Sequence, residues 1–361
     1  MMKHNIYTTI IGSGSYIPPV VISNDHFLSY RFFDQATGMP FEKENEEIIE
    51  KFKEITNIEN RRHCLPSETT SVIGFEAARD AIESSGIDPE SLDFIIAGHN
   101  FGDMLSDNYR SDMVPCIAAR IKQKLGIRNP LMFAHDVIAG CPGWVQALIV
   151  ADLYIKSGQY CRGLVVGTDV NSRVADPYDR DTMIFADGAG AVIVEARESE
   201  EPTGILAHAA QTDALEADYL VMRTSLNPEY GENELFIRMQ GHKVYVYALT
   251  NVPKVVKRSL QLAGLTLSDV KKVLIHQANE KMDWAILERV FKLYKIKDIP
   301  EDVMPMTINF LGNSSSATIP TLYDLIAKGK LEKHRFHPGD IILFTSVGAG
   351  MMINSVVYKI P

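Results

Sequence analysis

Four cysteines in 361 residues (Cys64, Cys116, Cys141 and Cys161), none in C-x-x-C spacing, exclude a disulfide framework and a cysteine-based zinc site. Such sparse usage fits a reducing cytoplasm, and no metal is expected. Basic residues are in deficit, with 36 Lys and Arg against 46 Asp and Glu and a formal charge of −10. That leaves no stripe for a nucleic-acid backbone, although a local basic patch would still serve an acidic carrier protein. No stretch approaches the roughly 18 apolar residues of a membrane-spanning helix. The apolar run at 6–11 is too short, and too broken by threonine, for a signal sequence. Gly12-Ser-Gly14 lacks the third glycine of a dinucleotide fingerprint, and Pro18 and Pro19 arrive before a helix can start. What the chain does have is 46% hydrophobic and 23% charged residues, enough to bury a large core as one big domain or two fused halves.

An internal repeat favours two halves. Ser85-Gly86-Ile-Asp-Pro-Glu-Ser-Leu-Asp-Phe-Ile-Ile-Ala97 matches Ala263-Gly264-Leu-Thr-Leu-Ser-Asp-Val-Lys-Lys-Val-Leu-Ile275 in kind, about half the chain further on. Each reads as helix end, glycine cap, short acidic turn and strand. A second pair, 187–195 and 347–354, reads as a glycine turn feeding a hydrophobic run. Short apolar runs at 94–97, 163–166, 191–194, 273–275, 341–344 and 356–358 alternate with helical stretches at 70–85, 115–125, 143–156, 243–262 and 316–328. Strands apolar on consecutive residues imply sheets covered on both faces. The fold class is therefore α/β, with an N-terminal half over 1–200 and a C-terminal half over 201–361.

Cys141 lies in Asp136-Val-Ile-Ala-Gly-Cys141-Pro-Gly-Trp144, between an apolar strand at 131–133 and a long helix with almost no polar face. A thiol there meets free backbone N–H groups and the positive end of the helix dipole, which favours thiolate and shelters an oxyanion. Gly140 and Gly143 permit close approach by a ligand. His276 follows Val-Leu-Ile directly, at a strand's C-terminal edge, where α/β proteins place their sites. Asn313 lies in Phe310-Leu-Gly-Asn313-Ser-Ser-Ser316, near where the repeat carries Cys141. The three segments together point to acyl-thioester chemistry.

In that order, and nearly end to end, these segments resemble the beta-ketoacyl-acyl carrier protein synthase III family of thiolase-fold condensing enzymes. The resemblance also covers 11–18 with Asn24-Asp25, Phe185-Ala-Asp-Gly-Ala-Gly190, Met239-Gln-Gly-His-Lys-Val244 and Gly348-Ala-Gly350. It implies a five-layered α-β-α-β-α architecture and a decarboxylative Claisen condensation. An acyl group moves from a thioester to Cys141, and a carbanion made by decarboxylating a malonyl-carrier thioester attacks it. His276 and Asn313 fit as neutral hydrogen-bond donors to the enolate, and asparagine cannot compete as a base. The resemblance further places the acyl oxyanion between the Cys141 and Ala349 backbone N–H groups. It sets Asn279, Gly241 and His242 along the pantetheine arm, the last where the family commonly has asparagine, and makes Lys281 a carrier-docking residue. The expected partners are acyl carrier protein, acyl and malonyl thioesters and a second copy of the chain. No cofactor, nucleic acid or membrane insertion is expected.

Two departures bear on substrate. Lys51 and Ile55 replace the tryptophan and arginine that sandwich adenine in members primed by coenzyme A, after an unusual insertion around 31–47, which favours a carrier-bound starter. Val114 and Val347 stand where members often have phenylalanine, which opens space for a medium or long acyl starter. The competing readings are a thiolase-fold acyltransferase that does not decarboxylate and a non-catalytic subunit that binds the carrier.

Overall fold

The structure, a computed structural model, describes residues 5–231 and 233–361. In chain order the first part of the chain forms β1 (Asn5–Tyr16), β2 (Val20–Ser23), α1 (Asn45–Thr56), β3 (Asn60–His63), α2 (Thr70–Ser85), β4 (Phe94–His99), β5 (Asp103–Leu105), β6 (Asn108–Asp112), α3 (Ile117–Lys124), β7 (Phe133–Ile138), α4 (Gly143–Lys156), β8 (Arg162–Val170) and β9 (Asp187–Ser199). The second part forms β10 (Gly204–Thr212), β11 (Leu220–Arg223), β12 (Phe236–Met239), α5 (Gly241–Leu262), β13 (Val270–Ile275), α6 (Glu280–Leu293), α7 (Ile308–Leu311), α8 (Thr318–Ala327), β14 (Ile341–Gly348) and β15 (Met352–Lys359).

Two mixed sheets carry the architecture, one ordered β1-β9-β8-β4-β7 and the other β10-β15-β14-β13. The pairs β4/β8, β4/β7 and β13/β14 are parallel. Parallel strands need a covered sheet, and three separate apolar cores supply the cover. One joins α2 and α3 to the outer face of the first sheet. A second joins α4 and α8 to the facing sides of both sheets, and a third joins α5 and α6 to the outer face of the second. The result is five layers, α-β-α-β-α. The middle helix α4 buries Trp144, Ala147, Leu148, Ala151 and Ile155 completely, as its missing polar face requires.

The repeat is visible in three dimensions. Gly86 and Gly264 both adopt left-handed φ, +69° and +70°, after α2 and α5, a conformation that favours glycine. Each is followed by a 3₁₀ turn and then by a strand, β4 or β13, that pairs in parallel. The second pair of segments diverges: Gly188 and Gly190 lie inside strand β9, whereas Gly348–Gly350 forms the turn between β14 and β15.

One strand is displaced from the expected position. The segment before the cysteine is extended over Phe133–Ile138, not 131–133, because Leu131 is 86% exposed and its N–H is held by the Asn129 side chain in a turn. Strand β7 reads as polar because it is an edge strand and because its Asp136 is used structurally. Asp136 accepts the Ile117 and Ala118 N–H groups at the start of α3, at 2.7 and 2.8 Å. Among the described residues, no helix is long and apolar enough to cross a membrane.

Candidate active site

The turns that follow β7 and β13, the hairpin between β14 and β15 and the loop after α7 converge, and side chains from the ends of β4 and β8 support them. Cys141 sits two residues before α4, half-buried. The Cys141 and Ala349 turns are pressed together through glycines. A Cβ on Gly140, whose φ is +61°, would lie 2.8 Å from the Ala349 nitrogen. A Cβ on Gly348 would lie 2.8 Å from the Cys141 nitrogen. Only glycine at both positions allows the two backbones this approach.

His276 follows β13, and its N–H bonds the Thr345 carbonyl at 2.9 Å. The ring is buried, and burial pushes its pKa down to about 4 while the Ser315 backbone pulls the other way. At neutral pH the imidazole is uncharged, and its Nδ1 has no hydrogen-bond partner among the described residues. Asn313 is clamped by two backbone bonds, its N–H to the Ile184 carbonyl and its carbonyl to the Ala186 N–H, at 2.9 and 2.8 Å. Its Oδ1 accepts the Ser315 N–H at 2.9 Å. That bond fixes the amide so that its NH2 is the end left to donate.

Neighbouring Gln277 is fully buried and joins these two segments. Its Oε1 accepts the Thr307 and Ile308 N–H groups and its Nε2 donates to the Pro305 carbonyl, which anchors the chain that leads through α7 to Asn313.

The thiol differs from expectation. Burial, with a smaller contribution from Asp169, pushes Cys141 up to about 12, while the largest opposing influence is the Ser315 hydroxyl, which donates to Sγ at 3.4 Å. The helix start alone therefore does not set the thiol. Ser315 itself has φ +55°. Its Oγ accepts from Asn100 Nδ2 at 2.8 Å, and the same Nδ2 donates to Asp169 at 2.9 Å. Asp169 is buried and accepts three further bonds, from the Asn100 N–H and from the Ser316 hydroxyl and N–H. Sequence reasoning passed over Ser315, Asn100 and Asp169. The strand-end rule that selected His276 also selects Asn100, which follows β4.

Two cavities lie near these residues, and neither is lined by His276 or Asn313. One of about 340 Å³ opens at Cys141, Ala349 and Ser315, and its apolar walls include Phe101, Ile138, Leu220, Met222 and Ile237. The other, about 410 Å³, gathers Gly241, His242 and Asn279 with Lys51, Ile55 and Arg180. Ile184 lines the second and its neighbour Phe185 the first. Asn279 also caps α6, its side chain accepting the Met282 N–H at 3.1 Å. The insertion around 31–47 packs Phe32 and Phe33 into the core and brings Phe41 against Arg180, the guanidinium 4.3 Å from the ring centre.

Of the remaining expected residues, one lies elsewhere and two stand on the surface. Val347 belongs to the core between α5, α6 and the second sheet and lines neither cavity. Valine at 347 therefore does not widen the space at Cys141, because its side chain faces the opposite side of β14. Val114 is 84% exposed. Lys281 is exposed on α6, but it shares its surface hollow with Glu54, Glu280 and Glu288, so the patch is not basic.

Comparison with known proteins gives the same picture along the whole chain. The family described as 3-Oxoacyl-[acyl-carrier-protein (ACP)] synthase III matches residues 135–214, and its C-terminal counterpart matches 260–360. A beta-ketoacyl-[acyl-carrier-protein] synthase III of Methylococcus capsulatus is 33% identical over 98% of this chain and 99% of its own. Among solved structures, the 3-oxoacyl-[acyl-carrier-protein] synthase III of Aquifex aeolicus superposes with a TM-score of 0.77 at 29% identity, covering 98% of this chain and 99% of its own. The priming beta-ketosynthase of the R1128 polyketide pathway does so with 0.81 at 26%, covering 100% and 98%.

Proposed function

The chain belongs to the beta-ketoacyl-[acyl-carrier-protein] synthase III family, and on that premise we propose that it condenses an acyl starter, held on Cys141, with a malonyl-carrier thioester to give a 3-oxoacyl thioester. This is acyltransferase chemistry of fatty acid or polyketide synthesis. The observation that carries the reading is the pairing of an uncharged, buried His276 with an Asn313 amide whose oxygen is already occupied. Two neutral donors suit an enolate oxygen, and simple acyl transfer has less use for them.

The steps follow from the residues. The Cys141 sulfur attacks the starter thioester, with the oxyanion received by the Cys141 and Ala349 N–H groups. The acyl chain lies in the apolar cavity beside Phe101, Leu220, Met222 and Ile237, whose lining supports a medium or long starter. The pantetheine arm enters past Gly241, His242 and Asn279. Carbon dioxide leaves the malonyl group, His276 and Asn313 hold the enolate, and its carbon attacks the acyl-enzyme. No cofactor beyond the thioester carriers is needed, and acyl carrier protein is the donor we favour.

We further propose a cytoplasmic homodimer built on the free edge of β7. Ile138 ends that strand 59% exposed while lining the Cys141 cavity, so a partner there would complete its wall, with Val114 reaching across. Sedimentation of the purified chain as a monomer at micromolar concentration would contradict this.

The test of the reaction is intact-protein mass spectrometry of wild type and Cys141→Ala with acyl-coenzyme A and acyl-carrier thioesters from acetyl to dodecanoyl, followed by malonyl-carrier. Acylation of wild type alone, then release of a chain two carbons longer, supports the proposal, and the panel names the starter and its carrier. Absence of any acyl mass would favour a binding subunit.

A further inference from the structure

We propose that Ser315 is a second functional group of the nucleophile: its hydroxyl hydrogen is aimed at the Cys141 sulfur by a directional chain of hydrogen bonds that starts at buried Asp169 and passes through Asn100. The inference rests on Cys141 being the nucleophile.

Direction follows from what each group is able to do. Both Asp169 oxygens already accept backbone N–H groups, from Asn100 on Oδ1 and from Ser316 on Oδ2, and Asn100 turns its NH2, not its oxygen, toward Oδ2 at 2.9 Å. The Asn100 backbone N–H donates to the other carboxylate oxygen at 2.7 Å and locks that arrangement. The same NH2 reaches Ser315 Oγ at 2.8 Å, which must therefore accept, and the hydroxyl hydrogen is left for Cys141 Sγ at 3.4 Å. Ser316 ties Asp169 to the same loop through its hydroxyl and N–H, at 2.5 and 3.1 Å. Ser315 also touches the other two members of the site, through its N–H to Asn313 and its backbone toward His276.

The backbone supplies an independent sign. Ser315 is held at φ +55°, a left-handed conformation unfavourable for a residue with a Cβ. Glycine would relieve that strain, so the retained hydroxyl is the feature that distinguishes serine here. The titratable groups around it are Asp169 from β8, which raises the thiol, and neutral His276 after β13, with His99 from β4 acting on Asp169 in turn. Against that background a donor to sulfur favours the thiolate.

Ser315 keeps its own proton throughout. The sulfur lone pair forms the new C–S bond to the acyl carbon, the incoming C–S bond breaks, and the departing thiolate takes up a proton equivalent to the one Cys141 released. In the condensation that follows, the enolate carbon forms the new C–C bond, the C–S bond to Cys141 breaks and its electron pair returns to the sulfur, so the hydroxyl that faces the sulfur serves the departing thiolate as well.

Ser315→Gly is the clean variant, because it removes the hydroxyl, keeps the N–H that holds Asn313 and suits the backbone angle. The readout is the rate of Cys141 alkylation by iodoacetamide across pH. The midpoint in Ser315→Gly is expected to rise by about one pH unit, with alkylation about tenfold slower near pH 8. Asn100→Ala is expected to move the midpoint the same way by less. Condensation by pre-acylated Ser315→Gly should slow with acylation, because Cys141 departs as thiolate, whereas a loop disturbance would depress both steps without moving the alkylation midpoint. Superimposable alkylation profiles for wild type and Ser315→Gly would overturn the inference. Wild-type acylation by a thioester, measured in parallel, reports separately on whether Cys141 is the nucleophile at all.

Discussion

Two buried histidines stand at corresponding ends of the repeated strands, and their surroundings could hardly differ more. His99 ends β4 with both ring nitrogens engaged, Nε2 with Asp136 at 2.8 Å and Nδ1 with the Gly102 N–H at 3.1 Å. His276 follows β13 with Nδ1 unpartnered and with burial holding the ring neutral. A buried polar atom without a partner is costly, and it persists where something else makes use of it. The same local fold thus holds a fully partnered histidine in one half and an incompletely partnered one in the other, the ring to which the proposed reaction gives the enolate. Partnering, not burial or strand position, separates them.

The largest effect belongs to the nucleophile that both halves serve. Cys141→Ala is expected to abolish covalent acylation and to cut condensation by roughly 10⁴ or more, read as product per turnover with acyl and malonyl thioesters. His276→Ala should slow the condensation step by about 10²–10³ while changing unfolding free energy by only about 1 kcal/mol. His99→Ala should reverse that pattern. It frees one side of the partly buried Asp136 and costs about 3 kcal/mol in urea unfolding, with condensation by the folded fraction reduced much less. Equal stability losses in the two alanine variants would erase the distinction between them.

Titration sharpens the same contrast. The folded His276 ring titrates near about 4 and the unfolded one near 6.5. Between those values the unfolded chain binds the extra proton, so stability falls as pH drops from 6.5 toward 4, by up to about 3 kcal/mol from this group. His276→Ala should flatten that part of the stability–pH curve. The smallest effect lies at the surface: Lys281→Glu should raise the apparent KM for the carrier about threefold, since a rim charge steers encounter and Glu54, Glu280 and Glu288 already surround it. An unchanged KM would remove Lys281 from the docking face.

Much of this molecule was legible in the residues alone. Helices α2 and α4 begin and end where glycine caps and apolar periodicity place them, and Cys141, His276 and Asn313 stand out because each follows a recognisable strand or turn. Ser315 ties the three together, through its hydroxyl, its backbone and its N–H. Less visible was everything that depends on contacts between distant segments. Asn100, Asp169 and Ser315 come from three segments and acquire meaning only when the sheet brings β4 and β8 beside the Asn313 loop. Strand β7 was misplaced because its polar residues cap a helix and pair a histidine, which masks the apolar pattern. Val347 was assigned to the acyl space, yet alternation along β14 turns it to the outer core. The thiol likewise depends on surrounding bulk that no local motif reports.

The most direct measurement is the intact mass of His276→Ala after incubation with an acyl thioester and then with malonyl-carrier thioester. The division of labour between Cys141 and the two donors predicts an acyl adduct on Cys141 that forms and then persists through the malonyl chase, while wild type clears it. Failure of the adduct to form, or its clearance at the wild-type rate, would contradict that division.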